Sequence, residues 1–128
     1  MKKVLKNTAL EGLEGSFIKA EKEYGVNAIF LLAIVIEESG WGTSYLAKNN
    51  NNICGIKNGS NWRYFSNKEE CIDYQANLLR NKYLTVGGIY YNGVSVKDVN
   101  KLYCEGNEWS NNIISIAKEI VNKINKKA

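Results

Sequence analysis

Residues 28–39 read "AIFLLAIVIEES", from Ala28 to Ser39, and the fold turns on what this stretch becomes. From Ala28 to Ile36 every side is apolar, so periodicity alone fits a buried strand or a buried helix. Length decides between them. Continued through Glu37, Glu38 and Ser39, the segment is too long for a typical strand. It predicts a central helix surrounded by the rest of the fold, ended by Gly40 and Gly42. Asn27 is placed to cap its start. That helix closes on two adjacent carboxylates, which raises the question of which one, if either, does chemistry.

Working outward, Ala9, Leu13, Phe17, Ala20 and Tyr24 recur at spacings of three and four, one helical face with Gly25 as its stop. After the central helix, the polar run Asn49–Asn52 signals a loop. "ICGIK" and "WRYF" flank "NGSN", and Asn-Gly is a hairpin signal, so a small two-stranded ribbon is expected there. "NKEECIDYQANLLRNKYL" reads as a helix capped by Asn67, with Cys71, Tyr74 or Gln75, Leu78 and Leu79 inward. "VGGIYYNG" is a glycine-rich loop carrying two tyrosines. "SVKDVNKLYC" is a short helix capped by Ser95. The last helix carries Ile113, Ile116, Ala117, Ile120 and Ile124 on one stripe. The sum is a mostly helical α+β domain with one small β-ribbon.

Composition narrows the chemistry. The 128 residues are the size of one domain, taken as 1–128, and a 45% hydrophobic content supplies a core. The net charge of +4 is a mild excess. Lysines gather only at the ends (Lys2, Lys3 and Lys6; Lys123, Lys126 and Lys127), which reads as solubility. No basic stripe interleaved with aromatics points to nucleic acid. There is no histidine, so Ser-His and Cys-His catalysis and the usual zinc ligands are excluded. Cys54, Cys71 and Cys104 form no CxxC pair and read as small buried residues. No metal or cofactor is expected. No apolar stretch reaches membrane-spanning length, and "MKKVLKNTAL" lacks the apolar core of a signal peptide, leaving any export route open.

The glutamate pair is where the sequence is most informative. A carboxylic acid that donates a proton near neutral pH needs a raised pKa. Burial, the negative end of a helix dipole and a neighbouring carboxylate all push that way, and the end of this helix offers all three. It is the environment expected of a glycosidase acid. Adjacent helical residues point about 100° apart, so only one can face a given cleft. The plain alternative is two solvated charges at a helix end. Trp41, Trp62, Tyr64, Tyr90, Tyr91, Tyr103 and Trp109 add flat faces of the kind that stack on sugar rings, and together they lean towards a carbohydrate groove.

"LAIVIEESGWGTSYLAKNNNNICGIK" resembles the bacterial N-acetylglucosaminidases of glycoside hydrolase family 73, the autolysin and flagellar-rod type. The resemblance rests on Glu38-Ser39-Gly40-Trp41-Gly42, Ser44, Leu46-Ala47, Asn51-Asn52 and Gly55-Ile56-Lys57. "YFSNKEECIDYQANLL" and "LYCEGNEWSNNI" resemble later blocks of the same family. The resemblance implies a lysozyme-like fold and cleavage of peptidoglycan at the β-1,4 bond between N-acetylglucosamine and N-acetylmuramic acid. It assigns the acid to Glu38 and leaves Glu37 as a neighbour.

Many relatives carry a second glutamate in a longer hairpin, and "NGSNWRYF" has none. Glu105 is one candidate for that role; Glu69 and Glu70 read as helix-capping residues instead. The substrate's own 2-acetamido oxygen is the other route, with Tyr103 orienting it or stabilising positive charge. The expected glycan-contacting set is Trp41, Ser44, Asn52, Lys57, Tyr64, Tyr91 and Trp109, with Asn52 and Lys57 alternatively holding the ribbon. A monomer acting on peptidoglycan strands in the cell wall, without membrane insertion, completes the expectation. The rivals are a muramidase or lytic transglycosylase on the same fold and a non-catalytic wall-binding module.

Overall fold

The computed structural model describes residues 1–126, so Lys127 of the basic C-terminal cluster lies outside the described residues. Among the described residues seven α-helices and one short ribbon follow in order: α1 (Lys2–Leu5), α2 (Glu14–Tyr24), α3 (Ala28–Ser39), α4 (Tyr45–Asn50), β1 (Lys57–Asn58), β2 (Asn61–Trp62), α5 (Lys68–Leu78), α6 (Val96–Tyr103) and α7 (Glu108–Asn125). α5 runs on into a π-helical turn over Leu79–Tyr83.

α3 is the axis of the molecule. Leu31, Leu32, Ala33, Ile34, Val35 and Ser39 are wholly buried, and Ala28 and Ile36 nearly so. Each large aliphatic side chain contributes about 1.5–3 kcal/mol on burial, far more than helix propensity offers, which is why an isoleucine- and valine-rich stretch is helical here. Its start is fixed as expected: the Asn27 side chain accepts from the backbone N–H of Ile29 and Phe30 at 2.9 and 3.0 Å. α7 packs along α3, α2 also packs against α3, and α5 packs against α2. Phe17, Phe65, Ile72, Leu79, Ile113 and Ile120 close the core around it.

Several expectations shift. α2 begins at Glu14, not near Thr8. The Thr8 hydroxyl donates to Leu5 and accepts from the Leu10 N–H, which commits the segment to turns. Leu10 is therefore buried and Ala9 exposed. Asn49 and Asn50 end α4 instead of opening a loop, because Ser44 caps that helix by accepting from Ala47 N–H at 3.1 Å. The ribbon is only two residues per strand, with Lys57 opposite Trp62. Leu78 is half-buried while Ile72 and Ala76 face inward. The apolar stripe of α7 fades at Ile124, which is 38% exposed. Cys104 is exposed, unlike Cys54 and Cys71. The Asn67 and Ser95 caps, the 86–93 loop and the Gly25 stop stand as predicted. Among the described residues no helix is long and apolar enough to cross a membrane.

Asn27→Ala leaves two N–H groups of α3 unpaired. It is expected to lower the stability of the domain by about 1 kcal/mol, read from the urea midpoint at unchanged slope.

Candidate active site

The two carboxylates leave α3 in different directions and are both met by α7. Glu37 accepts from the side-chain amide of Asn112 at 3.0 Å. Glu38 accepts from the indole N–H of Trp109 at 3.2 Å. Glu37 is thus tied to the second turn of α7 and Glu38 to its first.

Glu38 is open to solvent on one side and crowded on the other. Gly55, at φ 67°, brings bare backbone against it; a Cβ there would stand 2.9 Å from the outer carboxylate oxygen. No side chain fits at that position without moving the glutamate. Burial raises the Glu38 pKa above the usual carboxylate range, the Trp109 hydrogen bond lowers it, and the Glu37 charge raises it again. The net direction is up. The acid is both accessible and inclined to keep its proton, which is what proton donation requires.

A run of aromatic rings leads away from it. Trp109 stacks on Tyr103 with centroids 4.7 Å apart and planes at 26°. Tyr103 meets Tyr83 at 5.4 Å, and Tyr83 meets Tyr90 at 5.2 Å. Phe30 supports Trp109 edge-on at 6.4 Å. The hydroxyl of Tyr103 lies deep and accepts from the amide of fully buried Gln75 at 2.8 Å. Burial is the main cause that pushes this phenol far above its ordinary value. It keeps its proton and is a hydrogen-bonding group, not a base.

The motif after Glu38 is a backbone device. The Ser39 hydroxyl donates to the Val35 carbonyl and accepts from Gly42 N–H at 2.9 Å. Gly40, Trp41 and Gly42 then take φ values of 56°, 60° and 83° in succession. A Cβ on Gly42 would lie 2.8 Å from Leu10, so the chain there needs glycine for space as well as for conformation. This sharp turn carries the Trp41 ring to the far part of α7, where the Lys123 ammonium sits over it at 4.8 Å. Lys123 lies roughly 20 Å along α7 from Trp109.

The structure therefore divides the predicted residues. It brings Glu38, Tyr103 and Trp109 together. Trp41 is turned away, under Lys123. Ser44 is spent on capping α4. Asn52 is buried, donating to the carbonyls of Ile56 and Arg63 and accepting from Ile56 N–H, and so clamps the base of the ribbon. Lys57 and Trp62 pair across the ribbon at 5.1 Å. Tyr64 is exposed at 68% and Tyr91 at 36%, both free to meet a ligand. Glu105 is exposed on the α6–α7 connection, beside a hollow of about 590 Å³ lined by residues 101–107; it is Glu37, not Glu105, whose charge acts on Glu38. Glu70 accepts weakly from Ser66 N–H while Asn67 accepts from Glu70, the expected capping pattern. Sequence reasoning missed Tyr83, Gln75 and Asn112. Only their position in three dimensions marks them. Among the described residues no cluster of three metal-ligating side chains occurs.

Residues 14–122 match the Glucosaminidase family, described as mannosyl-glycoprotein endo-beta-N-acetylglucosaminidase. A curated Streptococcus pneumoniae (serotype 4) protein, provisionally named an endo-beta-N-acetylglucosaminidase, is 30% identical over 96% of this chain. The chain spans only 19% of that protein's length. The catalytic domain of the autolysin Auto from Listeria monocytogenes superposes with a TM-score of 0.71 at 18% identity, covering 94% of this chain and 86% of that one. A catalytic mutant of Staphylococcus aureus autolysin E, solved with the disaccharide NAG-NAM, superposes with a TM-score of 0.70 at 20% identity, covering 98% of this chain and 67% of that one. These superpositions bear out the expected lysozyme-like fold.

A carboxyl group with a raised folded-state pKa holds its proton more tightly when folded than when unfolded. The associated stability is full below the unfolded pKa and is lost as pH rises through the folded value. Glu38→Gln is expected to be more stable than the wild type at neutral pH. The difference should shrink as pH falls into the ordinary carboxylate range, as followed by urea unfolding across pH.

Proposed function

The chain belongs to the glucosaminidase family of glycoside hydrolases, and from that premise we propose that it cleaves peptidoglycan glycan strands between N-acetylglucosamine and N-acetylmuramic acid with Glu38 as the acid. The observation that carries this is the state of Glu38: solvent-facing, proton-retaining, and held by Trp109 beside a run of aromatic rings. The complex of S. aureus autolysin E with NAG-NAM supports the substrate class by analogy.

Glu38 gives its proton to the glycosidic oxygen as the bond to the anomeric carbon breaks. Glu37 is engaged by Asn112 and Glu105 is exposed on another segment, so the 2-acetamido oxygen of the substrate closes on the anomeric carbon as the internal nucleophile. Water then opens that intermediate, with Glu38, now ionised, taking the water's proton. Trp109 keeps the Glu38 carboxylate aimed at the bond. Tyr103, fixed by Gln75, keeps Trp109 flat against it and acts as a positioning residue. Tyr90, Tyr91 and Tyr64 offer outer sugar-stacking faces. Action as a monomer at the bacterial cell wall follows from the same reading.

Purified Gram-positive peptidoglycan digested by the wild type, reduced with borohydride and analysed by mass spectrometry should show reduced N-acetylglucosamine ends. Glu38→Gln should lower their release by about 10²-fold or more, and Glu105→Gln should leave it nearly unchanged. Reduced N-acetylmuramic ends or anhydro products would instead make the chain a muramidase or a lytic transglycosylase. Binding without turnover would make it a wall-binding module.

The pH profile carries a second expectation. Activity requires protonated Glu38, so it falls as pH rises through the raised pKa. Glu37→Gln removes a charge that raises that pKa and should move the alkaline limb to lower pH. Trp109→Phe removes a hydrogen bond that lowers it and should move the limb to higher pH.

A further inference from the structure

The lysines at the two ends of the chain play no part in the chemistry above, and the fold brings them together. α1 packs against α7, burying Val4 and Leu5 and leaving Lys2, Lys3 and Lys6 exposed. The Lys3 ammonium donates to the backbone carbonyl of Lys126, just past the end of α7. Beside this junction Ser115, Lys118, Glu119, Asn122, Lys123 and Lys126 line a hollow of about 430 Å³. Lys123 is held in place there: its ammonium lies over the Trp41 ring at 4.8 Å and 3.3 Å from the Glu119 carboxylate. Glu119 is the one acidic side chain lining the hollow, and Lys123 takes it. Among the described residues Lys2, Lys6 and Lys118 pair with no carboxylate.

We propose that this end of the molecule is a docking surface for a phosphodiester polyanion of the bacterial cell wall, which holds the domain on the wall while the cleft works. The charges are lysine ammonium groups, point charges that meet phosphates without a fixed geometry. They are spread over two helices, which suits a flexible chain of repeating charge better than one small anion. Nucleic acid fits less well. Its bases need flat faces to stack on, and the ring at this patch, Trp41, is already covered by Lys123. Lys123 lies roughly 20 Å along α7 from Trp109, so a polymer bound here leaves Glu38 uncovered. The wall setting rests on the hydrolase reading above; the binding itself needs no turnover.

The test is sedimentation of the complete chain, carrying Glu38→Gln to prevent digestion, with Gram-positive cell walls. The same walls stripped of phosphodiester polymers by hydrofluoric acid are the comparison, since they keep the glycan. Stripping should weaken binding by about 10-fold or more, as should raising the salt from about 50 to 200 mM. Replacing Lys2, Lys6 and Lys118 together by Gln should match that loss on intact walls. The same change at exposed Lys22, Lys82 and Lys97, equal in net charge, should have little effect. Binding indifferent to stripping, equal losses in the two triple variants, or binding as tight to duplex DNA or to phosphatidylglycerol vesicles would overturn the proposal. Wall binding of this kind without hydrolysis by the wild type would instead remove the hydrolase reading and leave the docking surface standing.

Discussion

The structure depends on burying most of one helix while leaving its last turn in use. α3 has no polar face along its apolar length, so neighbours must cover it on every side: α7 on one flank, α2 on another, the Ile53–Ile56 segment near its end. Those same neighbours converge where the helix stops. The carboxylates of Glu37 and Glu38 therefore emerge into a wall of protein on one side and solvent on the other. The raised pKa of Glu38 is a by-product of how the core is covered. A shorter or more amphipathic α3 would need less cover, and its terminal glutamates would be ordinary surface charges.

The two glutamates differ because α7 treats them differently. Asn112 and Trp109 are three residues apart, about one turn of that helix, and each takes one carboxylate. The amide pairing makes Glu37 a structural tie between helices. The indole pairing takes one oxygen of Glu38, and the other lies against Gly55. Behind the indole, the stack from Trp109 through Tyr103 to Tyr83 reaches back to α5, where Gln75 anchors Tyr103 from within the core. A polar side chain buried without solvent contact is costly unless it is bonded. Here it sets the orientation of an aromatic ring two contacts from the acid.

The central helix, its Asn27 cap and the α+β class were legible in the sequence, while the proposed choice of Glu38 over Glu37 drew on the family resemblance. These are local features: an apolar run, a capping side chain, a motif. What was not legible depended on distant contacts or on backbone geometry. Trp41 looked like a sugar platform until the left-handed turn at Gly40–Gly42 carried it under Lys123. Ser44 looked like a ligand contact because it is polar and lies in the motif, yet its side chain caps α4; Asn52 was read as touching sugar or holding the ribbon, and its hydrogen bonds are those of the second role. Gln75 and Tyr83 sit on α5 and its π-helical extension at ordinary core spacing, and only the packing of α6 against them shows their relation to Glu38. The start of α2 was misplaced because Thr8 satisfies its own neighbourhood by side-chain hydrogen bonds that a periodicity count does not see.

Glu38 holds its proton because of where the fold puts it. A carboxyl-carbon NMR titration of the folded protein, with Glu38 assigned by comparison with Glu38→Gln, measures this directly. A Glu38 midpoint clearly above the ordinary carboxylate value is expected. A midpoint at that value or below would mean that burial does not control this carboxyl, and the assignment of Glu38 as the proton donor would lose its physical basis.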